Sequence, residues 1–140
     1  MTTLRTIAVG FDGSPDAQAA LGWALGVAKP LGAAVVVVHA VGLLEHLNDP
    51  EVIRALEESA WTLVGEAGRD RDRVRWHLED GDPCSVLLRA ATPPVSADLL
   101  VVGSRGQGAH GTLPLGSTSH SVAEHSSVPL VIVPIGAPAG

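Results

Sequence analysis

Cysteine is almost missing from this chain. Among 140 residues only Cys84 carries a thiol, so no disulfide can form within the chain and nothing in the composition asks for an oxidising compartment. Lysine is as scarce: Lys29 is the only one, and the formal net charge is -6. A duplex-DNA binder normally presents a basic face, so nucleic acid is not an expected partner. Any anion site must instead draw on backbone N–H groups, hydroxyls and an arginine. Long apolar runs are missing too. The longest, Ala33 to Val38, falls far short of the ~20 residues a membrane-crossing helix needs. Met1-Thr2-Thr3-Leu4-Arg5 has neither the apolar stretch nor the cleavage site of a secretory signal. The expectation is a cytoplasmic protein with no membrane partner. Charged residues make up 17% against 46% hydrophobic, a balance that excludes general disorder and suits a buried core in a chain of single-domain size.

What the chain does have is a regular alternation of strand and helix signals. Arg5 to Gly10 reads as a short apolar strand, and Ser14-Pro15 as a helix start, with serine as N-cap and proline in the first helical position. Ala20, Leu21, Ala24, Leu25 and Ala28 then share one helical face, and the helix ends near Pro30 or Gly32. Ala33 to Ala40 is a β-branched run typical of a strand covered on both faces. Asp49-Pro50 and Asp82-Pro83 repeat the cap-plus-proline signal. The first opens a helix with Ile53, Leu56, Ala60, Leu63 and Ala67 inward, the second a helix with Val86, Leu87 and Ala90 inward. Between them, after a turn over Gly68 to Arg73, Val74, Trp76 and Leu78 alternate with Arg75, His77 and Glu79, the pattern of an edge strand with one wetter face. Ala97 to Val102 and Val128 to Val133 complete five strands. Strands alternating with helices predict an α/β fold, one open parallel sheet with helices on both faces. No linker or internal repeat divides the chain, so residues 1–140 read as one domain with a core over about 4–134 and a loose tail over 135–140.

The densest signal is Gly103 to Ser119, which holds five glycines and then the hydroxyl run Ser117-Thr118-Ser119 where a helix would begin. Glycines permit sharp turns and close backbone approach, and a helix start collects free N–H groups and the positive end of the dipole. Together these suit phosphate oxygens better than tight turns alone. Two nucleotide motifs fit poorly. Gly106 to Gly111 spells GxGxxG, but it follows the fourth strand and does not open a helix directly. Gly111 to Thr118 has Walker A spacing with Ser117 where the lysine must stand.

A third pattern fits: Gly103-x2-Gly106-x9-Gly116-Ser117. With Val9-Gly10-Phe11-Asp12-Gly13-Ser14, Val37-Val38-His39-Ala40, Gly81-Asp82-Pro83, Asp98 to Gly106 and Val128 to Pro134, it resembles the universal stress protein family in its ATP-binding branch, over nearly the whole chain. The resemblance implies a Rossmann-like sheet, similar to the adenine nucleotide alpha hydrolases, with strand order 3-2-1-4-5. It implies that Asp12 lies at the ribose and adenine side of a nucleotide cleft, with Gly10 beside it. Ala40 would meet the adenine through its backbone, Val102 and Gly103 would line the ribose, and Gly106, Gly116, Ser117 and Thr118 would surround the phosphates. Pro114 departs from the aliphatic residue more usual in the family. The implied ligand is ATP, with Mg²⁺ or Mn²⁺ held mostly by phosphates, and aliphatic side chains and backbone would hold the base.

Other readings of single residues stay open. Asp12 has a capping role in its turn as the alternative to a ligand role. Arg105, the one basic residue of the loop, either reaches a phosphate or lies solvated. His120 and Glu124, four apart, read as a surface hydrogen bond rather than a zinc site, and His110 and His125 add no ligand pair. Cys84, at a helix start where a thiol pKa can fall, reads first as a small packed residue. Ser104 lies outside any G-x-S-x-G, and no Ser–His–acid set is visible. The leading function is a nucleotide-dependent regulatory or stress-response module. A weak ATPase or phosphotransferase, and a nucleotide-free dimeric scaffold, are the alternatives. Val128 to Val133 is apolar on both faces yet last in the chain, and an exposed apolar edge invites a second chain. The family's corresponding strand forms a homodimer. Sedimentation at micromolar concentration is expected to give a dimer here, and a monomer would count against pairing through this strand.

Overall fold

The computed structural model describes residues 3–41, 49–105 and 116–136. Strands β1 (Thr6–Gly10), β2 (Ala34–Val41), β3 (Val74–Asp80), β4 (Leu99–Gly103) and β5 (Leu130–Val133) form one parallel sheet in the order β3-β2-β1-β4-β5. Helices α1 (Pro15–Leu31), α2 (Pro50–Glu66), α3 (Pro83–Arg89) and α4 (Ser117–His125) connect them in turn, with a 3₁₀ turn at Arg71–Arg73 ahead of β3. The α/β reading and the strand order hold. Among the described residues no helix is long and apolar enough to cross a membrane.

Local chemistry sets the helix starts. The Ser14 hydroxyl accepts from the Ala17 N–H at 3.2 Å, the Asp49 carboxylate from Glu51 at 2.9 Å and the Asp82 carboxylate from Ser85 at 3.0 Å. Each cap satisfies one donor that the first turn leaves without a helical partner, and a proline follows each. Helix α1 runs through Pro30 and stops at Gly32, whose φ of 65° sends its N–H back to the carbonyls of Ala28 and Lys29. Helix α4 begins at Ser117, so the hydroxyl run is its first turn.

Period-two alternation divides the strand residues between two cores. Ile7 and Val9 of β1, Val35 and Val37 of β2 and Val101 of β4 pack with Leu21 and Leu25 of α1 and Val64 of α2. Ala8, Val36, Val38, Leu100 and Val102 pack on the opposite face with Val86 and Leu87 of α3 and Val122 of α4. Strands buried on both faces explain the unbroken valine run of β2. The edge strand behaves differently: Val74 is buried, but Leu78 at the far end of the same stripe is 43% exposed. On α2 the fully buried residues are Ala60 and Val64 rather than the whole expected stripe, because this helix covers the outer strands and leaves Leu63 and Ala67 only partly enclosed. At the amino ends, Asp98 Oδ2 accepts from the N–H groups of Arg5 (2.9 Å) and Thr6 (3.1 Å), tying the start of β4 to that of β1.

One close approach decides how α1 lies on the sheet. A Cβ at Gly103 would stand 2.7 Å from the backbone carbonyl of Asp16, so the end of β4 must be glycine for the first turn of α1 to rest on it. Gly22, within α1, has nothing within 4 Å of the corresponding position. Gly103→Ala is therefore expected to cost about 1–3 kcal/mol, and Gly22→Ala to add about 0.5–1 kcal/mol. Urea unfolding midpoints of the two variants check this, and equal midpoints would refute the packing constraint.

Candidate functional site

The sheet order reverses between β1 and β4. Loops leaving the carboxyl ends of these strands diverge, one toward α1 and one toward α4, and ligands of open α/β sheets occupy the crevice left between such loops. Here that crevice is a cleft of about 580 Å³, counting the part continuous with solvent, within the range usual for small-molecule sites.

One end is apolar. Val38, Ala40, Pro83, Val86 and Leu87 border it with Gly10, against which the Leu87 side chain packs. Pro83 and Leu87 come from α3, which is held to the sheet by a charged cluster as well as by its apolar face. Glu79, near the end of β3, is bonded to His77 Nε2 at 3.0 Å and accepts from Arg89 Nε at 2.5 Å, and Arg89 also donates to the Asp80 carbonyl at 3.2 Å. The His77 bond first, and the Arg89 bond second, hold the Glu79 carboxyl below its ordinary range.

The other end is polar. Arg105, Thr118 and Ser119 border it, together with Val102 and Gly103 of β4. Ser119 is buried, and its hydroxyl donates to the Gly103 carbonyl at 2.5 Å. The Gly116 N–H donates to the Ser104 carbonyl at 2.7 Å, so α4 starts against the end of β4. Gly116 is the N-cap residue of α4 and has no side chain with which to cap it. The first intrahelical bond is from His120 N–H to Gly116 carbonyl at 3.0 Å, so the amides of Ser117, Thr118 and Ser119 precede the regular ladder. Positive potential from the helix start and the Arg105 guanidinium thus gathers at one end of a slot that is otherwise apolar.

The third wall is the β1–α1 loop. Asp12 borders the cleft, and its Oδ1 accepts from the Ser14 N–H at 3.0 Å, which is the turn-capping role its sequence position allows. Gly13 follows with φ of 80° and Leu56 of α2 packed where a Cβ would be. Phe11 and His39 also border the cleft, but their rings belong to the core. Phe11 meets Trp76 edge-on at 6.3 Å, and His39 stacks on Trp76 at 6.0 Å. His39 Nδ1 lies 2.8 Å from the Phe11 carbonyl, which can only accept, so Nδ1 carries the proton.

Of the residues singled out by sequence, Gly10, Asp12, Ala40, Val102, Gly103, Arg105 and Thr118 come together around this cleft. Gly116 and Ser117 lie at the start of α4 but do not border it, and Ser117 is exposed. Gly106, like His110 and Pro114, lies outside the described residues. Ser119 also lines the cleft, as the hydroxyl run suggested, whereas sequence reading gave no lining role to Phe11, Ser14, Ala17, Val38, His39, Pro83, Val86 or Leu87. Pro83 and Leu87 were visible as helix-start and core signals, but nothing local says that α3 folds over the cleft. Burial first, and the charge of Asp82 second, push the Cys84 thiol up rather than down, which leaves it a packed residue. His120 and Glu124 meet at 3.5 Å on the exposed face of α4. Among the described residues no cluster of three or more His, Cys, Asp or Glu side chains could hold a metal.

The sequence profile of the universal stress protein family matches residues 3–134. The chain belongs to the universal stress protein family. A universal stress protein of Thermus aquaticus is 35% identical over 137 residues, covering 92% of this chain and 98% of the relative. Among solved structures, a universal stress protein in complex with cAMP is 29% identical with a TM-score of 0.75, covering 94% of this chain and 98% of that one. A universal stress protein from Archaeoglobus fulgidus in complex with dAMP shares the fold at a TM-score of 0.69 and 22% identity, covering 94% of this chain and 99% of that one.

The charged cluster under α3 has a definite pH signature. A carboxyl with a depressed folded value stabilises above its unfolded value, about 4.3, and loses that contribution as pH falls through the folded value. Glu79→Gln is expected to cost about 0.5 kcal/mol at neutral pH, a small figure because the pair is partly exposed. The cost should fade below about pH 4.3 and vanish once both states are protonated. Urea unfolding across pH measures this, and a cost independent of pH would show that the bonds do not hold Glu79 ionised.

Proposed function

We propose that the cleft binds an adenine nucleotide, ATP together with Mg²⁺ or Mn²⁺, and that the chain works as a homodimeric, nucleotide-dependent regulatory module of a stress response rather than as an efficient enzyme. One observation carries the reading. A single cleft joins an apolar slot, bordered by Gly10, Val38, Ala40, Pro83 and Leu87, to an end made of Arg105, Thr118 and the opening turn of α4. Such a site suits a molecule with a flat apolar base and an anionic tail. The nucleotide complex of the relative with 29% identity supports the same ligand class.

In this reading the base lies in the apolar slot, with the backbone of Ala40 as its polar partner. Asp12, Val102 and Gly103 would flank the ribose. The α4 amides, Thr118 and Arg105 would take the phosphates, helped by Ser117, Gly116 and Gly106. The donor set fits polyphosphate because it depends on backbone amides and one guanidinium, which needs no lysine. A divalent cation would be held chiefly by the phosphates, since the described residues offer no carboxylate cluster. When bound, it neutralises phosphate charge that an acidic chain otherwise repels. Helices α1, α3 and α4 all contribute to the cleft wall, so occupancy can bias their relative positions and thereby the partner surface. The dimer would form through β5, an edge strand of the sheet.

The first test is to denature freshly purified protein and identify any released nucleotide by chromatography and mass. Near-stoichiometric ATP is expected, or else uptake of ATP on titration with Mg²⁺. Gly116→Asp then probes the anion end. Aspartate is a good N-cap, so the helix should hold, while its carboxylate occupies the place proposed for phosphate. ATP affinity should drop by about 100-fold or more through lost amides and added repulsion. Unchanged affinity would refute the site assignment, and failure to bind ATP under any metal condition would leave the dimeric scaffold as the function.

A further inference from the structure

Asp16 was not singled out by sequence, and it borders no part of the cleft. It stands in the first turn of α1 and reaches across to the chain leaving β4. Its Oδ2 accepts from the Ser104 hydroxyl at 2.7 Å and from the Arg105 N–H at 3.0 Å. The carbonyl of the same Ser104–Arg105 peptide accepts from the Gly116 N–H at 2.7 Å. In a trans peptide the N–H and C=O point to opposite sides of one rigid plane. This plane is therefore held from both sides, by α1 through Asp16 and by α4 through Gly116. Ser104 is anchored at a third point, its N–H donating to the Val133 carbonyl at 3.0 Å.

We propose that Asp16 is a positioning residue for the anion end of the cleft: it locks the Ser104–Arg105 peptide plane against the start of α4 and so fixes the direction in which Arg105 leaves the strand. The inference rests on the nucleotide reading above for its functional consequence, but the clamp itself does not. Two features favour positioning over competition with the ligand. Arg105 borders the cleft, whereas Asp16 and Ser104 do not, so the carboxylate and the bonds it takes lie behind the wall. The close approach of Gly103 to Asp16 also sets α1 against β4 at this point, so the carboxylate starts within reach of the peptide it holds, and its two bonds keep it there. A carboxylate suits the post because it accepts two bonds on one oxygen and because the start of a helix favours negative charge.

The test compares Asp16→Ala and Asp16→Asn with the unaltered protein by two measurements. The first is amide hydrogen exchange without ligand. Loss of a bond to a charged acceptor should speed exchange at Arg105 by roughly tenfold or more in Asp16→Ala, with Val101 in β4 unchanged. Asp16→Asn keeps one acceptor oxygen and should fall between. The second is affinity for ATP and for adenosine, followed by chemical-shift titration. A positioning role predicts roughly a tenfold loss for ATP and a change within about twofold for adenosine, since only the anion end is disturbed. Unchanged exchange at Arg105 in both variants would overturn the clamp. Equal losses for ATP and adenosine would overturn the positioning role, because a general loosening of the fold moves both. Tighter ATP binding would overturn it in favour of competition. If the unaltered protein bound neither ligand, the nucleotide reading and this functional role would fall together, and exchange at Arg105 alone would decide the clamp.

Discussion

Crossovers between parallel strands are right-handed, and that constraint places the cleft. The chain runs outward from β1 to β2 and β3, which puts α1 and α2 on one face. It must then return past β1 to add β4 and β5. Reversing the direction of travel while keeping the hand forces α3 and α4 to the opposite face. The loops that follow β1 and β4 therefore leave neighbouring strands toward different faces, and a gap opens between them. Double coverage also explains the core. Every residue of the central strands needs an apolar partner, and the alternation of Ile7, Ala8 and Val9 across the sheet is the smallest example.

Given that gap, the chemistry of the site follows from what the chain can spare. Of the nine Lys and Arg side chains only Arg105 borders the cleft, so for an anionic ligand dipoles fixed by the backbone would have to do more. Helix α4 suits that role because its N-cap is a glycine, whereas α1, α2 and α3 begin with side chains that satisfy their own first turns. The contrast separates three helix starts capped by their own side chains from one whose first turn has no side-chain cap, the start to which the proposed function assigns the anion. It also explains why the hydroxyl run divides its labour: Ser119 is spent on the Gly103 carbonyl and Thr118 faces the cleft, while Ser117 is exposed.

Features encoded over a few residues were legible in advance. Ser14-Pro15, Asp49-Pro50 and Asp82-Pro83 marked three helix starts because a cap bond spans only two or three residues. The buried face of α1 was legible because helical periodicity is local. Strand order was not, since periodicity does not say which strands are neighbours; the resemblance to a known family supplied it. The exposure of Leu78 was missed because alternation cannot tell how far a covering helix extends over an edge strand. Asp16 was invisible for the strongest reason: its partners Ser104 and Arg105 lie 88 and 89 residues away in sequence.

Gly103 shows how one residue can satisfy two demands that sequence cannot separate. In the motif it is the first glycine, which the family resemblance sets beside the ribose. In the fold its missing side chain is required by α1, whose Asp16 backbone occupies the space a Cβ would need. The two demands meet in one place, because the same approach that excludes a side chain at Gly103 brings the Asp16 carboxylate within reach of Ser104 and Arg105. A glycine at the end of β4 thus lets the first turn of α1 come close enough to orient the peptide that follows. The backbone geometry of the polar end is in this sense set from the opposite face of the sheet. Residues behind the cleft wall then determine where its one described guanidinium can point.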